Sequence, residues 1–455
     1  MMTVLKTENM RLIRIYLLMF GLVSLFGNVK AQDKWSLNEC INYALEHNLT
    51  HQGLGLVEQS AQIDAQQSKF NLLPSISASS SAGVSFGRTV DNYSSTVTNT
   101  QNFSNANSLS ASLTLFRGFI LKNQIAYAKY RREVAEWRKV NHEDDLAFNI
   151  LMAYFNMIYY QGVVEISREQ LNLSEYNLEK TQTLVKTGLK AKSDLAEMQA
   201  NYEKERLNLI QSENKQEETR LVLGQTMNLP ANRLDRFEVN AGESVVAGNL
   251  SVDPDSLFSF YVENSPYVKI AETELQAAAK EVAIARGQFL PSIYLNGSVS
   301  TGYYETYKND QGVVIPFADQ IENNMGQYLG ASLSIPVFQK NQRRNQFRQA
   351  KLAKEQAQVE LDSYMQTVYY ELHNNVRELK ALFREYIQTE KQVDAERLAF
   401  KVAQRKYDEG LINVIELLTV KNRMAEAKGQ LLFAKLQWEI KNKTLDFYKG
   451  IRFWE

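Results

Sequence analysis

From Ser75 onward, apolar and polar residues alternate along the chain. Ile76, Ala78, Ala82, Val84 and Phe86 fall on one side of an extended backbone, and Ser75, Ser77, Ser79, Ser81 and Ser85 on the other. A period of two marks a strand with two unlike faces. The pattern returns as Leu109, Ala111, Leu113 and Leu115 against Ser108, Ser110, Ser112 and Thr114. It returns again as Ile293, Leu295, Val299 and Thr301 against Ser292, Asn296, Ser298 and Ser300, and as Leu329, Ala331, Leu333, Ile335 and Val337 against Gly330, Ser332 and Ser334. Four strands are therefore predicted, over about 75–86, 108–116, 292–301 and 328–337. Their polar faces carry almost no lysine or glutamate. That suits strands between lipid and water in a membrane β-barrel. The other reading is a small soluble sheet with one wet face, which would end in bare edges. The connecting segments, about 87–107 and 302–326, are rich in Asn, Ser, Thr and Tyr and read as extracellular loops. Four strands cannot close a barrel, and an edge left in lipid has unpaired N–H and C=O groups. Several chains must pool their strands, and three chains would supply 12, enough for a water-filled bore.

The rest of the chain has helical periodicity. Of its 7 prolines none lies between Pro74 and Pro230 and none follows Pro336. Proline inside a helix costs about 3 kcal/mol, so the two proline-free tracts are where long helices can form, and Ala, Leu, Glu, Gln, Lys and Arg dominate them. Phe119 to Thr187 is 69 residues and Gln339 to Glu409 is 71, rods of about 104 and 107 Å at 1.5 Å per residue. Leu171, Leu178 and Val185 recur at seven with Ser174 and Thr181 between them, as do Val393, Phe400 and Tyr407. Rods of this length ask for an elongated, coiled-coil-like body.

The two tracts belong to a repeated unit. Phe70-Asn71-Leu72-Leu73-Pro74-Ser75-Ile76 resembles Gln288-Phe289-Leu290-Pro291-Ser292-Ile293, and Ala111-Ser112-Leu113-Thr114 matches Ala331-Ser332-Leu333-Ser334. Lys186-Thr187-Gly188-Leu189 through Asp194-Leu195 matches Asp408-Glu409-Gly410-Leu411 through Glu416-Leu417, and Glu46-His47-Asn48 aligns with Val262-Glu263-Asn264. The offsets drift only between 216 and 222. Each half reads helix, strand, loop, strand, long helix, glycine turn, helix. The first repeat is placed at 32–235, a linker at 236–255 and the second repeat at 256–455.

Composition narrows the chemistry. Lys6, Arg11 and Arg14, the apolar run Ile15–Phe26 and the small residues around Val29-Lys30-Ala31 form a secretory signal peptide over 1–31, the apolar run being too short for a membrane anchor. The single cysteine, Cys40, excludes a disulfide framework and has no lipidation motif around it. A formal charge of −1 gives no reason to expect nucleic acid. There is no phosphate-binding glycine loop, HExxH or GxSxG, so no enzyme and no cofactor is expected. His47 and His51 are four apart and could share a metal on one helix face, but no third ligand is apparent and none is predicted.

Together, the signal peptide, the duplicated helix–hairpin–helix unit, the Leu-Pro-Ser entry to each hairpin and the Tyr407-x-x-Gly410 turn resemble the TolC family of outer-membrane efflux proteins, over essentially the whole mature chain. The resemblance implies a mixed α and β homotrimer. Its 12-stranded barrel, four strands per chain, would cross the outer membrane and continue as a coiled-coil α-helical tunnel through the periplasm. An equatorial region of short elements would come from residues 225–260 and the C-terminus. The implied function is the passive exit duct of a tripartite efflux pump or type I secretion system, working with a periplasmic adaptor and an inner-membrane RND or ABC transporter. A non-conducting periplasmic or surface coiled-coil scaffold is the alternative; it accounts for the rods but not for the strands.

The resemblance also assigns residues. Bending of the second-half helix pair closes the periplasmic entrance in the family, where a Tyr three before the turn Gly bonds to an Asp six after the first-half Gly; here these are Tyr407 and Asp194. The neighbour of that Asp is present as Ser193, but its Arg partner is replaced by Ile412, which removes a second latch. The family's two-acid constriction becomes Glu416 and Thr419, one ring of carboxylates instead of two, with weaker attraction for cations. Gly188 and Gly410 are the hairpin tips, and they, Leu189 and Leu411, with Thr187, Ala191 and Glu409, are the implied adaptor contacts.

Overall fold

The computed structural model describes residues 34–90, 95–235, 237–240 and 252–454. The predicted signal peptide and most of the linker lie outside them. The chain forms two compact units, each drawing on both halves of the sequence.

The first unit comprises Leu49–Asp144 and Val252–Val376 among the described residues. It holds α2 (Leu49–Phe70), β2 (Ser75–Val90), β3 (Val97–Arg117), α6 (Pro254–Asn264), α7 (Pro266–Gly287), β5 (Ser292–Tyr304), α8 (Phe317–Asn323) and β6 (Gly326–Ser334), with the first part of α3 (Ile120–Lys186) and of α9 (Gln342–Asp408). The prolines fall where a helix tolerates them. Pro254 and Pro266 each occupy the first turn, behind side-chain caps from Asp253 and Ser265, because the missing N–H is an orphan there in any case. The four long strands make one antiparallel sheet in the order β2-β3-β5-β6. In register, Ile76 lies opposite Ala111, Ala78 opposite Leu109, Leu109 opposite Val299, Leu113 opposite Leu295 and Leu295 opposite Ala331, so one face carries an apolar band, bounded by the polar row Ser80, Asn107 and Thr301. Ser79 opposite Ser108, and Ser108 opposite Ser300, build the polar face, where Ser79 and Ser108 share a hydrogen bond of 2.8 Å.

Two expectations about the loops are corrected. The segment 87–107 is mostly strand: β2 continues to Val90 and β3 begins at Val97, pairing Val84 with Phe103 and Phe86 with Gln101 beyond the end of β5. Its Thr, Asn and Ser content reads as loop, but the pairing of Val90 with Val97 and of Val84 with Phe103 is that of a two-stranded ribbon. The segment 302–326 contains α8, whose buried Gln320 accepts from Tyr304 N at 2.9 Å and donates to Tyr304 O at 3.2 Å. One side chain thus satisfies the end of β5 above the point where β6 starts.

The second unit comprises, among the described residues, the segment to Asn48, Asp145–Ser251 and Arg377–Glu455. It holds β1 (Lys34–Trp35), α1 (Leu37–His47), the remainder of α3 and α9, α4 (Lys192–Thr226), α5 (Ala231–Leu234), β4 (Glu238–Val239) and α10 (Val414–Tyr448). A capping box between Ser36 and Glu39 starts α1. Its Cys40, Ile41 and Ala44 join Ile150, Leu151, Met157, Leu223 and Met227 in the core. Cys40 is wholly buried, and burial pushes its thiol up to about 12. The short strands β1 and β4 pair in parallel beside this core, and Trp454 closes it from the C-terminus. Among the described residues no helix is long and apolar enough to cross a membrane.

Candidate functional site: the paired helix tips

Helix α3 ends at Lys186 and α9 at Asp408, each followed by a glycine with φ +76°. In both turns the residue after the glycine closes a six-residue ring: Leu189 N to Leu184 O and Leu411 N to Lys406 O, each 2.8 Å. This is the Schellman stop, which requires a left-handed residue and so favours glycine. Leu189 and Leu411 are left 73% and 68% exposed at the tips.

Just inside the tips, Tyr407 is wholly buried among Met198, Ala403, Val414 and Leu417. Its hydroxyl lies 2.9 Å from Thr181 Oγ1, and the Thr181 hydroxyl donates to Asn177 O at 2.7 Å. The threonine has one proton and gives it to the carbonyl, so the tyrosine donates to the threonine. Lys190 Nζ stands 3.9 Å over the centre of the Tyr407 ring. Burial raises the Tyr407 pKa and the Asp194 charge adds to that, opposed by the Thr181 hydrogen bond. Around this core Gln404 donates to Asn177 Oδ1 at 3.1 Å and to Asp408 Oδ1 at 3.0 Å, and Lys180 pairs with Asp408 at 2.7 Å.

The tyrosine expected to bond to Asp194 therefore bonds to Thr181. Asp194 sits in the first turn of α4, half exposed, and acts on the phenol through its field; Ser193 beside it is exposed. Ile412, which stands where a latch arginine was looked for, packs against the Tyr407 cluster. Glu416 and Thr419 are exposed near the start of α10. Asn413 caps that helix by accepting from Glu416 N at 2.9 Å, and its amide donates to Glu416 Oε1 at 3.2 Å. Glu416 thus stabilises a helix N-terminus, where a carboxylate is favoured. His47 ends α1, stacked on Tyr43, whereas His51 lies in the first turn of α2 facing Glu143 at 3.7 Å. The four-residue spacing thus falls across a helix break, and no group of three or more metal-binding side chains occurs among the described residues.

The sequence reading missed the partners Thr181 and Lys190, and it missed the seam above them. The half-buried Leu171, Leu178 and Val185 do not form the centre of the α3 interface; Gln170, Ser174, Asn177 and Thr181 are the buried residues. They occur at steps of four and three, a helical stripe of polar residues that the leucine heptad masked.

The family model for outer membrane efflux proteins matches twice, over residues 41–228 and 259–450. The chain belongs to the outer membrane efflux protein family. The outer membrane protein TolC of Escherichia coli K12 is 23% identical over 349 residues, covering 73% of this chain and 69% of that one. The probable efflux pump outer membrane protein SepC of Pseudomonas putida is 24% identical over 304 residues, 66% of this chain and 55% of that protein. The chain spans about half the length of the Pseudomonas putida relatives it matches. The fold is that of solved outer-membrane channels of the family. CmeC of Campylobacter jejuni superposes with a TM-score of 0.77 at 17% identity over 91% of this chain and 85% of CmeC. VceC of Vibrio cholerae does so at 0.76 and 17%, over 91% of this chain and 96% of VceC.

Proposed function

We propose that the chain is the outer-membrane exit duct of a tripartite efflux pump or type I secretion system, passing substrates without chemistry of its own from a periplasmic adaptor and an inner-membrane RND or ABC transporter to the exterior. The observation that carries this reading is the sheet. Its outer strands β2 and β6 have no strand partner on their outer side among the described residues, while one face carries an apolar band across all four strands, from Ile76 and Ala78 through Leu109 and Leu295 to Ala331. A sheet of that kind in lipid would strand a row of N–H and C=O groups. Three copies joined edge to edge satisfy them in a 12-stranded barrel, and the helices would continue the bore into the periplasm.

Internal duplication supports the same reading. Apart from the short α5 and α8, the helices of the two halves have equal lengths, 11, 22, 67 and 35 residues. Two consecutive left-handed residues precede each long helix, Gly118 and Phe119 before α3, Lys340 and Asn341 before α9. The tips Gly188, Leu189, Gly410 and Leu411 would meet the adaptor. Tyr407 would hold the entrance closed with Asp194 and Ser193 beside it, and Glu416 with Thr419 would line the constriction. The test is reconstitution of the purified protein. A duct runs as a trimer in mild detergent and carries ion current across planar bilayers; a monomer that passes no current refutes it.

A further inference from the structure

The polar seam of α3 surrounds a buried cation that no part of the tip network uses. Lys421 of α10 is 0% exposed, and its Nζ lies 2.8 Å from Glu205 Oε1 on α4 and 2.7 Å from Ser174 Oγ on α3. Asn201 Nδ2 donates to the same serine at 2.8 Å, and Asn208 Nδ2 donates to Glu205 Oε2 at 3.1 Å. One ammonium therefore joins α10 of the second half to α3 and α4 of the first half, two turns along α3 from the Thr181–Tyr407 bond. Lys421 continues the buried stripe Val414, Leu417, Met424 of α10, and Glu205 the stripe Met198, Asn201, Ser212 of α4. Apolar residues at those positions would pack over a range of small slides. A buried ion pair favours one register, since separating its partners leaves a charge without compensation in the interior.

We propose that Lys421 is a second latch of the entrance: a positioning residue whose ammonium fixes the closed register of α10 against α3 and α4, and supplies the cationic tie that Ile412 cannot make. The inference rests on the gated-duct reading. The groups around the pair suit a joint that opens, because Ser174, Asn177, Asn201 and Thr181 can bond to water once it enters, as an apolar seam could not. Burial pulls the Lys421 pKa down while Glu205 holds it up, so the pair is maintained by the carboxylate and not by solvent.

The test compares Lys421→Met, Glu205→Gln, Lys421→Arg and the swapped pair Lys421→Glu with Glu205→Lys, as full-length protein in planar bilayers with trimer content and thermal stability measured alongside. The expected result is a several-fold rise in conductance for each neutralised variant at unchanged trimer content, with Lys421→Arg and the swap returning toward the parent. Variants that melt earlier but conduct like the parent make the pair purely structural and overturn the latch. If Lys421→Met does not assemble, Lys421→Gln keeps a side-chain hydrogen bond without the charge: raised conductance supports the latch and parental conductance overturns it. A parent that passes no current, alone or as Tyr407→Phe, removes the duct reading and the latch with it. Current through Tyr407→Phe combined with an unresponsive Lys421 removes the latch alone.

Discussion

Tyr407 and Thr181 are joined across 226 residues of sequence by a 2.9 Å hydrogen bond in which the tyrosine is the donor. The bond ties the last turn of α9 to the last two turns of α3. Tyr407→Phe removes the donor and keeps the ring, its cluster and the Lys190 contact. Thr181 retains its bond to Asn177, so the cost stays near the low end for a buried hydrogen bond, about 1 kcal/mol. In planar bilayers Tyr407→Phe is expected to conduct more than the parent. Asp194→Asn, which removes a field acting on the phenol and a carboxylate from the first turn of α4 but no hydrogen bond to Tyr407, is expected to change conductance less. The reverse order would restore Asp194 as the main partner of the tyrosine.

The glycines separate conformation from packing. Gly188 and Gly410 both have φ +76°, and a Cβ at either would meet nothing within 4 Å. Alanine there is strained by backbone alone, about 1–2 kcal/mol. Gly118 also has a positive φ, +55°, but its Cβ would collide with the Gly287 carbonyl where the start of α3 crosses the end of α7. Gly118→Ala is therefore expected to lower the yield of assembled protein far more than Gly410→Ala, as read by thermal melting and by recovery of the trimer. Equal losses would mean that the Gly118–Gly287 approach is not tight.

Much of this architecture was legible because it rests on period and punctuation. Alternation located all four strands, although the last ends at Ser334, short of Ile335 and Val337, and the proline-free tracts located both long helices to within a few residues. Their ends were set by features without a strong sequence signature, such as the left-handed pairs Gly118-Phe119 and Lys340-Asn341. The pairing of 87–90 with 97–100 was hidden because Asn, Thr and Ser signal loops when their cross-strand partners are unknown. The tip network was hidden for a related reason. The seven-residue spacing drew attention to Leu171 and Leu178, yet Ser174 and Thr181 between them are buried and the leucines half-buried. Lys421 did leave a trace: it occupies the step between Leu417 and Met424 that periodicity assigns to the core.

The two faces of the sheet can be told apart by one charge. Leu109 and Leu295 lie on the apolar face, Ser108 and Ser298 on the other. Arginine on a lipid-facing strand near the bilayer centre costs about 2–4 kcal/mol, whereas arginine facing water costs little. Leu295→Arg is expected to reduce the amount of protein in the outer membrane, and Ser298→Arg to leave insertion intact while altering ion selectivity. The opposite outcome would invert the assignment of the faces.

His51 gives the helical part of the first unit a pH dependence whose sign can be worked out. Burial lowers its pKa below the usual imidazole value, with Lys139 and His142 acting in the same direction and Glu143 in the other. Its ring stacks on His142 at 5.9 Å and its Nε2 lies 3.7 Å from Glu143. Below about pH 6.5 the unfolded chain takes up this proton before the folded one does. The stability that neutral His51 contributes is therefore complete above that pH and is lost as the pH falls to the folded pKa. Replacing the imidazole by an amide removes the titration, so His51→Asn should lose less melting temperature than the parent between pH 7.5 and pH 5. The carboxylates common to both proteins cancel in that difference, and equal losses would show that His51 takes up its proton alike in the folded and unfolded chain.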